Sequence, residues 1–381
     1  MCYTISQWIY IMIVLSSLKE NIICELSCNI EEFIGNLYMG GLSQIGRSLY
    51  FKAIDLESNY TRMVEREFKE LRPILKEMQN FNNENGIVFS QYSDNVTFNE
   101  GFYVDNLWFV YDNNNSILRN NIEYIDNVFA FAKVIQNRNY SIVHRLKDMG
   151  LIINEEFIIE INSTSSEKPK GKIYFGELPY HIQTSYLYFY TFNSFHNQTI
   201  YWKCMITHVL FNNELVSLNN EARFSSTLFS IYFPKSISLE NMLMEYNLKQ
   251  YIHVDDTNKM ICDCQYISLF PNITLVINSI KYVIYDYDYI HYKDQKCIIS
   301  LQQNMNDNDW IIGYLFFYNK ATSFNYNSNI ISIYSNIFYS KFNVFTYEIQ
   351  KLCLFCILLC LLNILYISIV IIKKIDYNLI S

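Results

Sequence analysis

Short apolar runs with a period near two recur along the chain, and few stretches show the three-to-four spacing of a helix. "SLYFKAI", "NEGFYVDNLWFV", "EEFIIEI", "GKIYFGEL", "SYLYFYTF", "NITLVINSIKYVIY" and "DWIIGYLFFY" are rich in Ile, Val, Tyr and Phe. Alternation over four to eight such residues predicts strands with one face buried. Three segments predict helices. In "SIVHRLKDMG", Ile142, Leu146 and Met149 share a face, Ser141 can cap the start and Gly150 the end. "EREFKELRPILKEMQNF" is more charged and breaks or kinks at Pro73. "SISLENMLMEYN" is the third. The pattern predicts a mostly β ectodomain in two parts.

The two ends break this pattern. "WIYIMIVLSS" near the start is too short to span a bilayer and reads as the core of a signal peptide within residues 1–20. Leu352 to Ile372 is a run of 21 residues with no charge, flanked by Lys351, Lys373 and Lys374. As a helix it is about 31 Å long, enough to cross a hydrocarbon core. The lysine pair predicts a cytoplasmic tail over 373–381, with the bulk of the chain lumenal or extracellular, in the secretory pathway or at the cell surface. That compartment permits disulfides among Cys24, Cys28, Cys204, Cys262, Cys264 and Cys297. Cys353, Cys356 and Cys360 lie within the apolar run, as small packing residues or as acylation sites. Asn-x-Ser/Thr sites at Asn59, Asn95, Asn114, Asn139, Asn162, Asn197 and Asn272 are candidate glycosylation acceptors.

Composition narrows the chemistry. With 381 residues, two domains of ordinary size are expected. The net charge of −8 and the lack of a basic stripe argue against nucleic acid as a partner. No phosphate loop, dinucleotide fingerprint, HExxH or GxSxG occurs, and the six His residues lack metal-ligand spacing. Neither a metal nor a cofactor is expected.

The order of the elements, from about Phe33 to Ser335, resembles that of the pepsin-like aspartic peptidases. In that family each half carries an Asp-Thr-Gly loop after a strand. "FIGNLYMGGLSQIGRSLYFKAIDLESNY" resembles the first such region: Gly35, Gly40 and Gly41 echo its opening glycines, and Asp55 falls on the first catalytic aspartate, with Leu56 and Glu57 for Thr and Gly. "FSQYSDNVTFNEGFYVDN" resembles the flap hairpin, with Tyr92 on the flap tyrosine, Asp94 after it and Gly101 opening the return strand. Ala130 in "DNVFAFAKV" stands at the glycine of an apolar-apolar-Gly turn. In the second half, "ARFSSTLFSIYFP" matches Ala-x-x-Asp-Thr-Gly-Thr-Ser with a Pro nine residues after the Asp. Ala222 and Pro234 fit, but Ser225 lands on the second aspartate, Ser226 on Thr and Thr227 on Gly. Cys264 and Cys297 resemble the disulfide of the family's C-terminal lobe. Gly313 is retained in the last motif, while Tyr314 and Asn325 replace aspartates.

The resemblance implies an all-β, bilobal pepsin-like fold with lobes over 25–178 and 179–345 and a C-terminal transmembrane helix over 352–372. It also implies impaired catalysis. The family's chemistry uses two carboxylates sharing one proton. A serine at position 225 supplies neither general acid nor general base at ordinary pH, and each role is worth orders of magnitude in rate. Glu57 is the other acid close by in sequence. The expected partner is a polypeptide in the interlobe cleft, recognised by strand addition and apolar pockets. A divergent active endopeptidase and an unrelated all-β surface adhesin are the competing readings. The pairing of Cys24, Cys28, Cys204 and Cys262 stays open.

Overall fold

The computed structural model describes residues 26–33, 36–42, 48–58, 62–63, 76–82, 88–98, 103–112, 128–133, 137–162, 170–194, 199–255, 259–293 and 296–337. The expected signal peptide, the apolar run 352–372, Cys24 and Gly101 lie outside these residues.

Strands dominate, as the alternation predicts. A 13-stranded sheet joins both ends of the described chain. From one edge inward it is an antiparallel series of neighbours: Tyr188–Asn193, Ile330–Ser335, Lys320–Asn325, Glu156–Asn162, Lys170–Phe175 and Leu26–Phe33. Phe324 pairs with Phe157, and the two rings stack at 5.0 Å. Trp202 is fully buried against the same rings and donates its indole N–H to the Phe131 carbonyl at 2.8 Å. The chain's wealth of aromatic residues thus forms one continuous core under the sheet, each large ring contributing about 3 kcal/mol of transfer and packing energy.

The second half builds a seven-stranded sheet around Lys203–Phe211, Glu214–Phe224 and Ile273–Ile277. It also builds a four-stranded sheet that includes Met260–Cys262 and Lys296–Ile299. The Cys264–Cys297 disulfide clips the four-stranded sheet, with Cα atoms 5.3 Å apart. Cys204 and Cys262 are buried free thiols. Burial, helped by Asp263, pushes the Cys262 thiol up to about 11.

Two of the helix expectations match the structure. Ile142–Asp148 is helical, with the Ser141 hydroxyl accepting from the His144 N–H and Gly150 at φ +71°. Leu239–Glu245 is helical, capped by Ser238. The expectation for "KEMQNF" is corrected: Lys76–Asn82 is a strand, paired with Val88–Phe98 so that Phe81 faces Phe89. Tertiary pairing overrides the helical propensity of Lys, Glu and Met there. In "DWIIGYLFFY" the strand stops at Ile312, and Tyr314–Phe317 forms a 3-10 turn after Gly313.

Two histidines predict acid lability. Burial, with Arg138 adding to it, lowers His144 to about 4; Glu155 and Asp148 oppose that shift. Burial alone lowers His291 to about 4. A folded-state value below the unfolded one favours the fold above about pH 6.5, and that contribution is lost as pH falls through 4. Each shift is worth on the order of 3 kcal/mol. Urea midpoints are therefore expected to fall between pH 6.5 and 4. A His144→Phe/His291→Phe variant should fall less steeply, and equal slopes would refute this account.

Candidate active site

The two halves repeat one local device. In the first, Ser48–Asp55 runs parallel to Val128–Ala130, with Asp55 opposite Ala130. In the second, Glu214–Phe224 runs parallel to Trp310–Ile312, with Phe224 opposite Ile312. One more step along that register sets Ser225 against Gly313, and the Ser225 N–H donates to the Ile312 carbonyl at 2.9 Å. The flanking connections also match. Arg62–Met63 lies antiparallel to the first return strand, and Ile231–Phe233 antiparallel to the second. Position 225 is therefore the internal counterpart of position 55, and Gly313 the counterpart of Ala130, on strand register alone.

The two loops meet. The Leu56 N–H donates to the Ser226 hydroxyl at 3.0 Å, across 170 residues of sequence and in a fully buried setting. Residues 55–57 and 225–227 are thereby held side by side at the junction of the halves. Ser225 and Ser226 are fully buried. Ser225 Oγ lies 3.2 Å from Thr227 Oγ1 and accepts from the Leu228 N–H at 3.3 Å. The hydroxyl is thus engaged by its own loop.

Gly313 explains why this loop closes so tightly. A Cβ at that position would meet the carbonyl oxygens of Ser230, Leu228 and Phe229 at 2.3, 2.4 and 2.6 Å. The segment 228–230 crosses directly over it, tied by Tyr314 N–H to Leu228 O at 2.9 Å. The glycine serves a close approach of backbones.

Glu57 occupies a separate network. Its Oε1 lies 3.3 Å from Arg223 Nε, and both side chains are 16% exposed. Arg223 also reaches Asp307 at 3.6 Å and lies over the Tyr201 ring at 4.9 Å. Burial, and then the charge of Glu57, pushes the Tyr232 hydroxyl up. Nearby, Lys203 bridges Asp309 at 2.6 Å and Glu221 at 3.0 Å. Arg223 is the residue that sequence reasoning passed over. Its signal was an arginine between two apolar residues, Ala222 and Phe224, two positions before Ser225.

The other expected residues fall as follows. Tyr92 stands in the strand Val88–Phe98, opposite Phe109 and six residues before the strand's end at Phe98. The hairpin partner is Tyr103–Asp112, and the pairing continues to Thr97, five residues past Tyr92. Tyr314 is buried and packs on Phe229 at 5.1 Å. Asn325 Nδ2 donates to Glu156 at 3.0 Å. Among the described residues no cluster of three His, Cys, Asp or Glu side chains could hold a metal ion.

A sequence model of the eukaryotic aspartyl protease family matches residues 86–335, which is 335 − 86 + 1 = 250 of the 381 residues. The chain belongs to this family. The match includes Ser225 and Gly313 and leaves out Asp55. Among solved structures, the aspartic proteinase from Irpex lacteus is similar, with a TM-score of 0.62 over 82% of this chain and 97% of that one. The identity is 11%, so this likeness speaks for the fold alone. No curated protein matches the sequence. Family membership sets aside the reading as an unrelated adhesin. Within an aspartyl protease fold, the internal repeat acquires a chemical meaning, because it pairs a carboxylate-bearing position with a hydroxyl-bearing one.

Proposed function

We propose that this chain is a membrane-anchored member of the aspartyl protease family that has lost peptidase chemistry and holds an extended polypeptide between its halves. The observation that carries the reading is Ser225. It stands in strand register as the counterpart of Asp55, buried, with its hydroxyl bonded within its own loop. A shared-proton pair needs two carboxylates, one to take a proton from water and one to give a proton to the scissile carbonyl. A hydroxyl there does neither near neutral or acid pH. Glu57 does not replace it, because its carboxylate is directed to Arg223. What the fold retains suits binding: strands, backbone donors and an aromatic interior that positions them. The apolar run 352–372 supports attachment to a bilayer.

The test uses the full chain in detergent micelles with a mixed peptide library from pH 3.5 to 7, reading new peptide termini by mass spectrometry. No new termini are expected, and Asp55→Asn should leave that background unchanged. Peptides should nonetheless be retained on the immobilised chain. Cleavage that Asp55→Asn abolishes would mean a working, divergent endopeptidase.

A further inference from the structure

The central sheet has two faces with opposite fates. Along its edge strand Tyr188–Asn193, Phe192 points inward and stacks at 6.1 Å on Phe224, the residue before Ser225. Phe189, of opposite parity, points outward and is 56% exposed. Leu187, two residues earlier in the chain, is 76% exposed, and Tyr180, which opens the short helix on this face, is 78% exposed. Strand register runs one row across this outer face: Phe189, Tyr334, Ala321, Glu160, Lys172. Phe189 stacks on Tyr334 at 4.8 Å. The short helix Tyr180–Ser185 covers the inner part of the row through Ile182, which packs with Ile158, Tyr174 and Ala321. The acidic member of the row is satisfied internally. Glu160 accepts from the Tyr174 and Tyr186 hydroxyls at 2.9 and 3.0 Å and lies 3.2 Å from His181. Lys172 is exposed.

The chain leaves the described structure at this same place. Ser335 pairs with Tyr188, and the Leu187 N–H donates to the Asn336 side chain at 3.1 Å. The last described residue, Ile337, is exposed. From there 351 − 338 + 1 = 14 residues lead to Leu352, where the uncharged run begins. Even fully extended they span only about 50 Å, and a folded domain of this length is about as wide. The patch is therefore held within about 50 Å of residues 352–372, at high local concentration.

We propose that this outer face, centred on Leu187, Phe189 and Tyr180, lies against the headgroup region of the bilayer that anchors residues 352–372. The inference rests on the membrane-anchor reading above. Exposed Tyr, Phe and Leu suit the boundary between headgroups and acyl chains, and Lys172 suits anionic headgroups. An exposed aromatic edge strand otherwise invites pairing with other chains, and burial against lipid covers its apolar face. Because Phe192 and the Phe224 ring it stacks on lie on the opposite side of the sheet, the adjoining loop 225–227, and 55–57 with it, would face away from the membrane.

The experiment reconstitutes the full chain in nanodiscs of phosphatidylcholine and phosphatidylserine that carry a lipid with a photoreactive group near its headgroup. Labelled peptides are mapped by mass spectrometry. Adducts are expected in 180–189 and at the ends of 352–372. Leu187→Glu/Phe189→Glu should lower the 180–189 adducts roughly fivefold or more. The labelling of 352–372 and the Cys264–Cys297 bridge should persist, the latter as a check on folding. Adducts at 352–372 with none at 180–189 overturn the inference and leave the anchor standing. Adducts at neither place overturn both. Added in parallel, a lysine-reactive bifunctional crosslinker that joins Lys172 of two copies, with no lipid adducts at 180–189, would overturn it in favour of self-association.

Discussion

Arg223→Ala is expected to cost about 3–5 kcal/mol of stability, the loss typical of removing one partner from a buried ion pair. The guanidinium stands between Glu57 at 3.3 Å and Asp307 at 3.6 Å, with Tyr201 beneath it. Its deletion leaves two carboxylates facing each other around a cavity, with Glu57 largely withdrawn from water. The cost then includes desolvation and like-charge repulsion as well as lost packing of the side-chain stem. Glu57→Gln removes one of those charges, so the double variant Arg223→Ala/Glu57→Gln should regain part of the loss. Urea unfolding of the wild type, the two single variants and the double variant forms a closed cycle, with an expected coupling of about 1 kcal/mol or more. A loss below about 1 kcal/mol for Arg223→Ala would place the pair among weak surface bridges. Glu57 would then be open to recruitment as a second acid, and the case for a silent site would weaken with it.

Gly313→Ala is the second large effect. The backbone at Gly313 is extended, with φ −69° and ψ 173°, so alanine has no conformational objection. The objection is space: the added methyl would sit 2.3–2.6 Å from three carbonyl oxygens of the crossing segment. All three belong to backbone, so no rotamer change relieves the clash. Either segment 228–230 moves outward, or the strand Trp310–Ile312 parts from Phe224. The expected loss is about 3 kcal/mol or more. Over the roughly 300 residues of this fold that lowers the melting temperature by about 4–5 °C. The variant should also lose retention of library peptides, since Ser225 and Leu228 move with the segment. A melting point within about 2 °C of wild type would show that the crossing has slack. The first half carries Ala130 at the equivalent register position, which a methyl group already fills. The reciprocal change Ala130→Gly is therefore expected to be mild.

Much of the fold was legible in local pattern. The alternation in "EEFIIEI", "GKIYFGEL" and "SYLYFYTF" predicted strands that the central sheet contains. Ser141 announced a helix start because a side-chain acceptor satisfies the first N–H groups locally. "KEMQNF" misled because charge and propensity are local, whereas its pairing with Val88–Phe98 is not. The place of Ser225 at the second aspartate was what the resemblance to the family pattern from Ala222 to Pro234 implied.

The sequence by itself determined the β character of this protein, because alternation between neighbouring residues fixes which side of a strand is buried. The reading of Ser225 and of the Cys264–Cys297 pair came from resemblance to a family pattern, and the structure contains that disulfide. Only the tertiary structure decided that Leu56 meets Ser226 across 170 residues, that Glu57 turns to Arg223, and that the exposed Leu187–Phe189 edge lies where the chain exits. Such contacts depend on which side-chain surfaces the packed core brings together. No local preference encodes a pairing between residues so far apart in the chain.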